Sequence, residues 1–223
     1  MRLLTTLILL TIYLTTTGQD SPTKKKNWFR VDTLFAENGK TQKKQPNYSY
    51  EWMDTEVKYS DATGKGIIIQ NSLPRGGPGY FDPTGRRFGF AIFWTRIINE
   101  TSKPIELSIN FPADSFAIFP SPDSYLKLFL PPDTMTPDKE GLVDYGASRF
   151  FLDTSINKPS KLKRTIHPKK ESLFYIVLLL HVPDNGTIRT GLVLKDQNLF
   201  YKTNIAWQID SALIPCGQIV FKK

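Results

Sequence analysis

The sequence predicts an all-β protein, an antiparallel β-sandwich of immunoglobulin-like or jelly-roll-like form with one short helix and long loops. Three observations carry that expectation. Short runs rich in aromatic and β-branched residues recur along the chain, several of them alternating apolar with polar positions. Clusters of Gly, Pro, Asn and Asp separate these runs at near-regular intervals. Almost no stretch keeps a helical period. Roughly nine to eleven strands so arranged favour two packed sheets, with a closed β-barrel as the alternative.

Before the strands comes a different grammar. Arg2 precedes an apolar run over residues 3–14, and Thr15, Thr16, Thr17 and Gly18 lead to Gln19. A charge, a short apolar core and a small-residue end form a secretory signal peptide. A membrane span needs about 20 apolar residues, and this run is shorter and broken by Thr5, Thr6 and Thr11. Thr16 and Gly18 place cleavage after Gly18, and no cysteine lies there for lipid attachment. The expected domains are therefore 1–18, a signal peptide; 19–46, a mobile basic arm carrying Lys24, Lys25 and Lys26; and 47–223, one sandwich domain. The product is expected to be exported, periplasmic or extracellular, with no transmembrane anchor. The chain holds 29 Lys+Arg against 21 Asp+Glu; losing Arg2 leaves 28 against 21, a net +7.

The strands are then justified in turn. Residues 57–59 and 66–70 flank Asp61, Ala62, Thr63 and Gly64, which suits a hairpin. Residues 73–87 are dense in glycine and proline and read as a long irregular loop, the leading candidate for a working surface. Residues 88–99 are apolar on both alternations: Phe88, Phe90, Ile92, Trp94 and Ile98 on one side, Ala91, Phe93 and Ile97 on the other. That predicts a strand covered on both faces or bending between sheets. After a turn over 99–104, residues 105–111 alternate cleanly, with Ile105, Leu107, Ile109 and Phe111 inward. Strands are also expected at 116–119 and 125–130. Thr136, Pro137, Asp138 and Glu140 supply a cap, a first-turn proline and acids for a short helix reaching about Tyr145. The pattern otherwise lapses between Pro131 and Lys163. Residues 172–182 read as a fully buried strand, and 187–195, 199–209 and 214–221 complete the set.

Little in the sequence speaks for catalysis. One cysteine, Cys216, excludes an intramolecular disulfide and reads as a small buried hydrophobe in the last strand. His167 and His181 are too far apart in sequence for a short-spaced zinc motif. Gly76, Gly77 and Gly79 are interrupted by Pro78 and followed by no helix, unlike a phosphate-cradling loop. No metal or cofactor is expected, and Asp61 and Asp82 lack the regular acidic spacing of a calcium loop. Asp133, Asp138, Glu140, Asp144 and Asp153 are the candidates for a secreted glycan hydrolase, which needs two facing acids. Cations are more concentrated: Lys161, Lys163, Arg164, Lys169 and Lys170 lie close together, and Arg75, Arg86 and Arg87 sit in the glycine-proline loop. These residues form the candidate basic surface, suited to anionic polysaccharide, lipopolysaccharide or phospholipid head groups, with an envelope protein as a further candidate partner. Export argues against nucleic acid as partner. Asn47, Asn99 and Asn185 begin sequons, which would be candidate glycosylation sites in a eukaryotic secretory protein and read as turn residues in a bacterial one.

Two segments, residues 97–107 and 166–174, resemble the strand-turn-strand and proline-turn elements of immunoglobulin-like bacterial surface domains. The end of the leader, Phe93-Trp94-Thr95-Arg96 and Asn110-Phe111-Pro112-Ala113-Asp114-Ser115-Phe116 resemble uncharacterised secreted proteins of Bacteroidetes. The resemblance implies a compartment and a bacterial origin and brings no catalytic residue. The expected function is a non-catalytic binding or assembly module at the cell envelope.

Overall fold

A computed structural model of the chain describes residues 53–60, 64–76, 79–117, 123–139, 148–181, 188–205 and 212–222. The leader, the basic arm and the boundaries between them and the sandwich lie outside those residues. Among the described residues no helix is long and apolar enough to cross a membrane.

The strands are β1 (Met53–Ser60), β2 (Gly66–Ser72), β3 (Arg75–Gly76), β4 (Tyr80–Phe81), β5 (Arg87–Asn99), β6 (Ile105–Phe111), β7 (Phe116–Ala117), β8 (Tyr125–Phe129), β9 (Ser160–Ile166), β10 (Glu171–His181), β11 (Ile188–Lys195), β12 (Asn198–Ile205) and β13 (Ala212–Phe221). A 3-10 turn at Pro137–Lys139 and one helix, α1 (Arg149–Ser155), lie between β8 and β9. Every described pairing is antiparallel, and the strands form two sheets rather than a single closed barrel. Sheet I runs β1-β2-β5-β10-β8-β7, with β3 and β4 also on β5; sheet II runs β11-β12-β13-β6-β9.

Alternation decides what the sheets bury. In β6, Ile105, Leu107, Ile109 and Phe111 point into the core between the sheets, as their period-2 spacing requires. They meet Phe93 and Ile97 of β5 and Ile176 and Leu178 of β10 in one cluster. Each such side chain stabilises the fold by about 1.5–3 kcal/mol through removal from water. β5 and β10 are apolar on both alternations because sheet I is covered twice. Ala91, Phe93 and Ile97 face sheet II, while Phe88, Ile92 and Trp94 join Tyr175, Val177 and Leu179 in a second cluster outside. Met135, Leu152 and Ile156 cover that outer face.

The cover corrects the sequence reading. Expected to lapse, the stretch from 131 to 163 instead holds α1, capped by Ser148 accepting from Phe151 N, and then β9. Sequence reading misses β9 (SKLKRTI) because its outward positions are Lys161, Lys163 and Thr165 and its inward ones include Ser160 and Arg164, so polarity hides the alternation. Of the helix expected from 136, a 3-10 turn is described, and 140–147 lie outside the described residues. The 73–87 stretch is not wholly irregular: Arg75 and Gly76 pair with Ile92 and Ala91, and Tyr80 and Phe81 with Phe88 and Arg87. Residues 61–63, 118–119, 182–187 and 206–209, read as turns or strand ends, lie outside the described residues.

Both edges of sheet II are stitched to sheet I by side chains. At β11, the buried Asn71 amide donates to Leu192 O (3.1 Å) and accepts from Leu192 N (2.9 Å), acting as a substitute strand. Its remaining donor and acceptor meet Thr55 Oγ1 (3.2 Å) and Thr95 Oγ1 (3.0 Å). Tyr59 Oη accepts from Leu194 N at 3.0 Å. Gly191 is needed for this approach, since a Cβ there would lie 2.9 Å from Asn71 Cγ and Nδ2. At β9, Arg164 donates to Ser172 Oγ (3.0 Å) and Leu173 O (2.8 Å) of β10.

Candidate binding surface

The sequence-derived cations separate into groups that strand geometry holds apart. β5 has 13 residues, which at about 3.3 Å each span roughly 40 Å. Arg86 and Arg87 stand at its start, whereas Lys169 lies at its end, donating its backbone N–H to Asn99 O at 2.8 Å. Lys170 shares that turn, its carbonyl accepting from Asn99 N. Asn99 is itself buried, its amide spent on Lys103 O and Ile166 O, so it acts as a turn residue.

At the first end, Arg86 donates to Tyr125 Oη at 2.5 Å, its guanidinium carbon 5.7 Å from the ring centroid. Tyr125 in turn lies tilted against His181 at 5.1 Å and meets Phe88 edge-on at 5.8 Å. His181 Nδ1 is 2.8 Å from Arg87 O, a contact that fixes the ring. Asp82, noted for calcium, instead accepts from Thr84 N, Thr84 Oγ1 and Arg86 N in a closed turn. Desolvation would raise its carboxyl, but those hydrogen bonds outweigh it and hold the group below the usual range. Arg75 is partly buried in β3.

Sheet II carries the other group. In β9, Lys161 and Lys163 point outward and Arg164 inward, because successive side chains alternate. Arg164 is therefore not part of an exposed surface: it is half-buried, bonded to β10, and its guanidinium is pushed down by that burial. Lys163 Nζ lies 3.1 Å from Glu106 and Lys222 Nζ 3.6 Å from it. Hydrogen bonding from Lys163, reinforced by Lys222, holds the Glu106 carboxyl below its ordinary value. Lys195 of β11 and Lys202 of β12 share this outer face, since their neighbours Leu194 and Tyr201 belong to the core. Sequence reading missed both, although the clean alternation of β11 signals the placement.

Among the described residues the candidate acids do not assemble into a facing pair. Asp153 accepts from Tyr80 Oη at 2.7 Å and sits 3.7 Å from Arg149, tying α1 to β4. Burial, with the Asp153 hydrogen bond, pushes the Tyr80 hydroxyl up. Asp133 is exposed; the Asp138 side chain, Glu140 and Asp144 lie outside the described residues. Among the described residues, no group of three or more His, Cys, Asp or Glu is placed to hold a metal ion. Cys216 is a free, buried thiol 3.5 Å from Leu199 O, and burial pushes it up to about 12. A thiol so held is a packing group and not a nucleophile at neutral pH.

Comparison with models of known families finds no match for this chain, and comparison with curated proteins finds none either.

Proposed function

We propose that this chain is an exported, non-catalytic binding module that engages an anionic partner at the cell envelope. One observation supports the reading above the others. Sheet I is covered on its outer side by α1 and Met135, whereas among the described residues no helix packs on the outer face of sheet II, which presents exposed Lys161, Lys163 and Lys195 and half-buried Lys202, with one paired acid, Glu106. An open sheet face of one sign attracts oppositely charged polymers and surfaces. The leader-like residues 1–18 and the resemblance to secreted Bacteroidetes proteins support the compartment. A hydrolase gains no support from Asp153, which is occupied by Tyr80 and Arg149.

The test is retention of the chain lacking residues 1–18 on immobilised heparin and on immobilised lipopolysaccharide, against a Lys161→Glu/Lys163→Glu variant. Arg164 stays unchanged because its replacement would disturb the sheet contact. The variant is expected to elute at clearly lower salt. Equal elution removes the surface, and no retention of the unaltered protein on either matrix removes the reading.

A further inference from the structure

The ladder registers of sheet II align five outward residues across all five of its strands. Lys163 pairs with Ser108, Ser108 with Gln218, Gln218 with Asn198, and Asn198 with Lys195. Four strand spacings of about 4.8 Å make this row roughly 19 Å long. Lys163, Gln218, Asn198 and Lys195 are exposed and Ser108 is half-buried between Leu107 and Ile109. Cations thus stand at both ends, with a hydroxyl and two amides between them and no acid in the row. Beside it, on one flank, Lys161 pairs with Asn110 at the β9 end and Val193 with Phe200 at the β11 end, the Phe200 ring half-buried. Glu106 lies on the opposite side, neutralised by Lys163 and Lys222, and Asp196 is confined to the β11–β12 turn.

Building on the binding-module reading, we propose that this row is the seat of an acidic polysaccharide strand lying across sheet II. Lys163 and Lys195 pair with its carboxylate or sulfate groups. Gln218, Asn198 and Ser108 exchange hydrogen bonds with sugar hydroxyls, for which amides are suited because each both donates and accepts. Phe200 offers an apolar ring to the carbon face of a sugar. A row of this kind, polar from end to end, fits an extended chain, whereas a bilayer would be met by apolar side chains; the exposed Leu213, which pairs with Lys202 on the same face, lies outside the row.

Titration calorimetry separates the possibilities, using the chain lacking residues 1–18 with heparin fragments, polygalacturonate and phosphatidylglycerol vesicles as probes. Gln218→Ala/Asn198→Ala is expected to weaken binding of at least one glycan about tenfold, the loss of two modest hydrogen bonds, with salt dependence unchanged. Lys163→Glu/Lys195→Glu is expected to weaken binding and flatten its salt dependence. Equal glycan affinity of the amide variant and the unaltered protein overturns the row while leaving the binding module standing. So does preference for the vesicles over both glycans. Failure to bind any of the three probes overturns the module and the row together. All four substitutions are at exposed or solvent-facing positions, and unchanged thermal melts confirm that folding is intact.

Discussion

Replacing Asn71 with alanine should be among the most damaging single changes in the chain. The side chain is buried and uses its full capacity, donating to Thr55 and Leu192 and accepting from Thr95 and Leu192. Alanine leaves the Leu192 N–H and C=O and the Thr95 hydroxyl without those partners. A buried polar group stripped of its partner costs about 1–3 kcal/mol. Allowing some water to reach the space vacated, the total is about 3–5 kcal/mol, against a whole stability of about 5–15 kcal/mol for an ordinary domain. With a urea slope near 2–3 kcal/mol/M, the unfolding midpoint should fall by more than about 1 M. A fall below about 0.3 M would refute the idea that this amide joins the sheets.

A double-mutant cycle sharpens the test. Gly191→Ala should itself destabilise by about 1–3 kcal/mol, because its Cβ meets Asn71 Cγ and Nδ2 at 2.9 Å and those atoms are pinned. In the Asn71→Ala background only Cβ remains, at 3.2 Å, and most of that penalty should vanish. The expected coupling is at least about 1 kcal/mol. Strict additivity would mean that the two residues do not share this contact.

Two further outcomes follow from burial. Cys216 should resist thiol reagents at pH 8 until the protein is unfolded; its folded thiol is raised from 9.0 to about 12, so the unfolded chain releases the proton first. Stability tied to this group is therefore complete below pH 9 and lost as pH rises from 9 towards 12, at up to about 1.4 kcal/mol per unit. Tyr201 and Tyr59, also raised by burial, add to the same alkaline loss, so Cys216→Ala should make the decline in urea midpoint shallower without removing it. Identical slopes would exclude the thiol as a contributor. Arg164→Ala should lower thermal stability by about 1–3 kcal/mol through loss of its bonds to Ser172 and Leu173, whereas Lys163→Ala, largely exposed, should change it by less than about 0.5 kcal/mol. Equal melts for the two variants would contradict the alternation assigned to β9.

How much of this was legible depends on where a residue's environment is set by its own neighbours in sequence. β6 and β10 were readable because alternation or continuous apolarity is a local signal of one or two covered faces. The double burial of β5 was readable for the same reason, although what covers its outer face, α1 and Met135, was not. α1 is only seven residues long and buries Leu152, too little for a helical period to register. β9 failed differently: Arg164 occupies an inward position because β10 offers it a carbonyl and a hydroxyl, and although β10 is the next strand, that offer exists only because it belongs to the facing sheet. The basic surface shared this fate. Counting cations within a window grouped Arg164 with Lys163, which face opposite ways, and omitted Lys195, which lies four strands away in the fold yet in the same row.

The stitched edges constrain where sheet II can receive a partner. Peptide ligands of β proteins commonly add as a new edge strand, using unpaired backbone N–H and C=O groups. At β11 those of Leu192 are taken by Asn71, and the Leu194 N–H is taken by Tyr59. At β9 the edge is held against β10 by Arg164, and its outward lysines are of the kind that discourage strand addition. Strand addition at the stitched centre of β11 would have to break hydrogen bonds that also hold the two sheets together, so binding there would oppose folding. A ligand on the outer face meets no such conflict, because Gln218, Asn198 and the lysines project away from the core and their engagement leaves the stitches intact. At β11, face binding and edge closure are in that sense one arrangement: the side chains that occupy that edge direct a partner to the outer face.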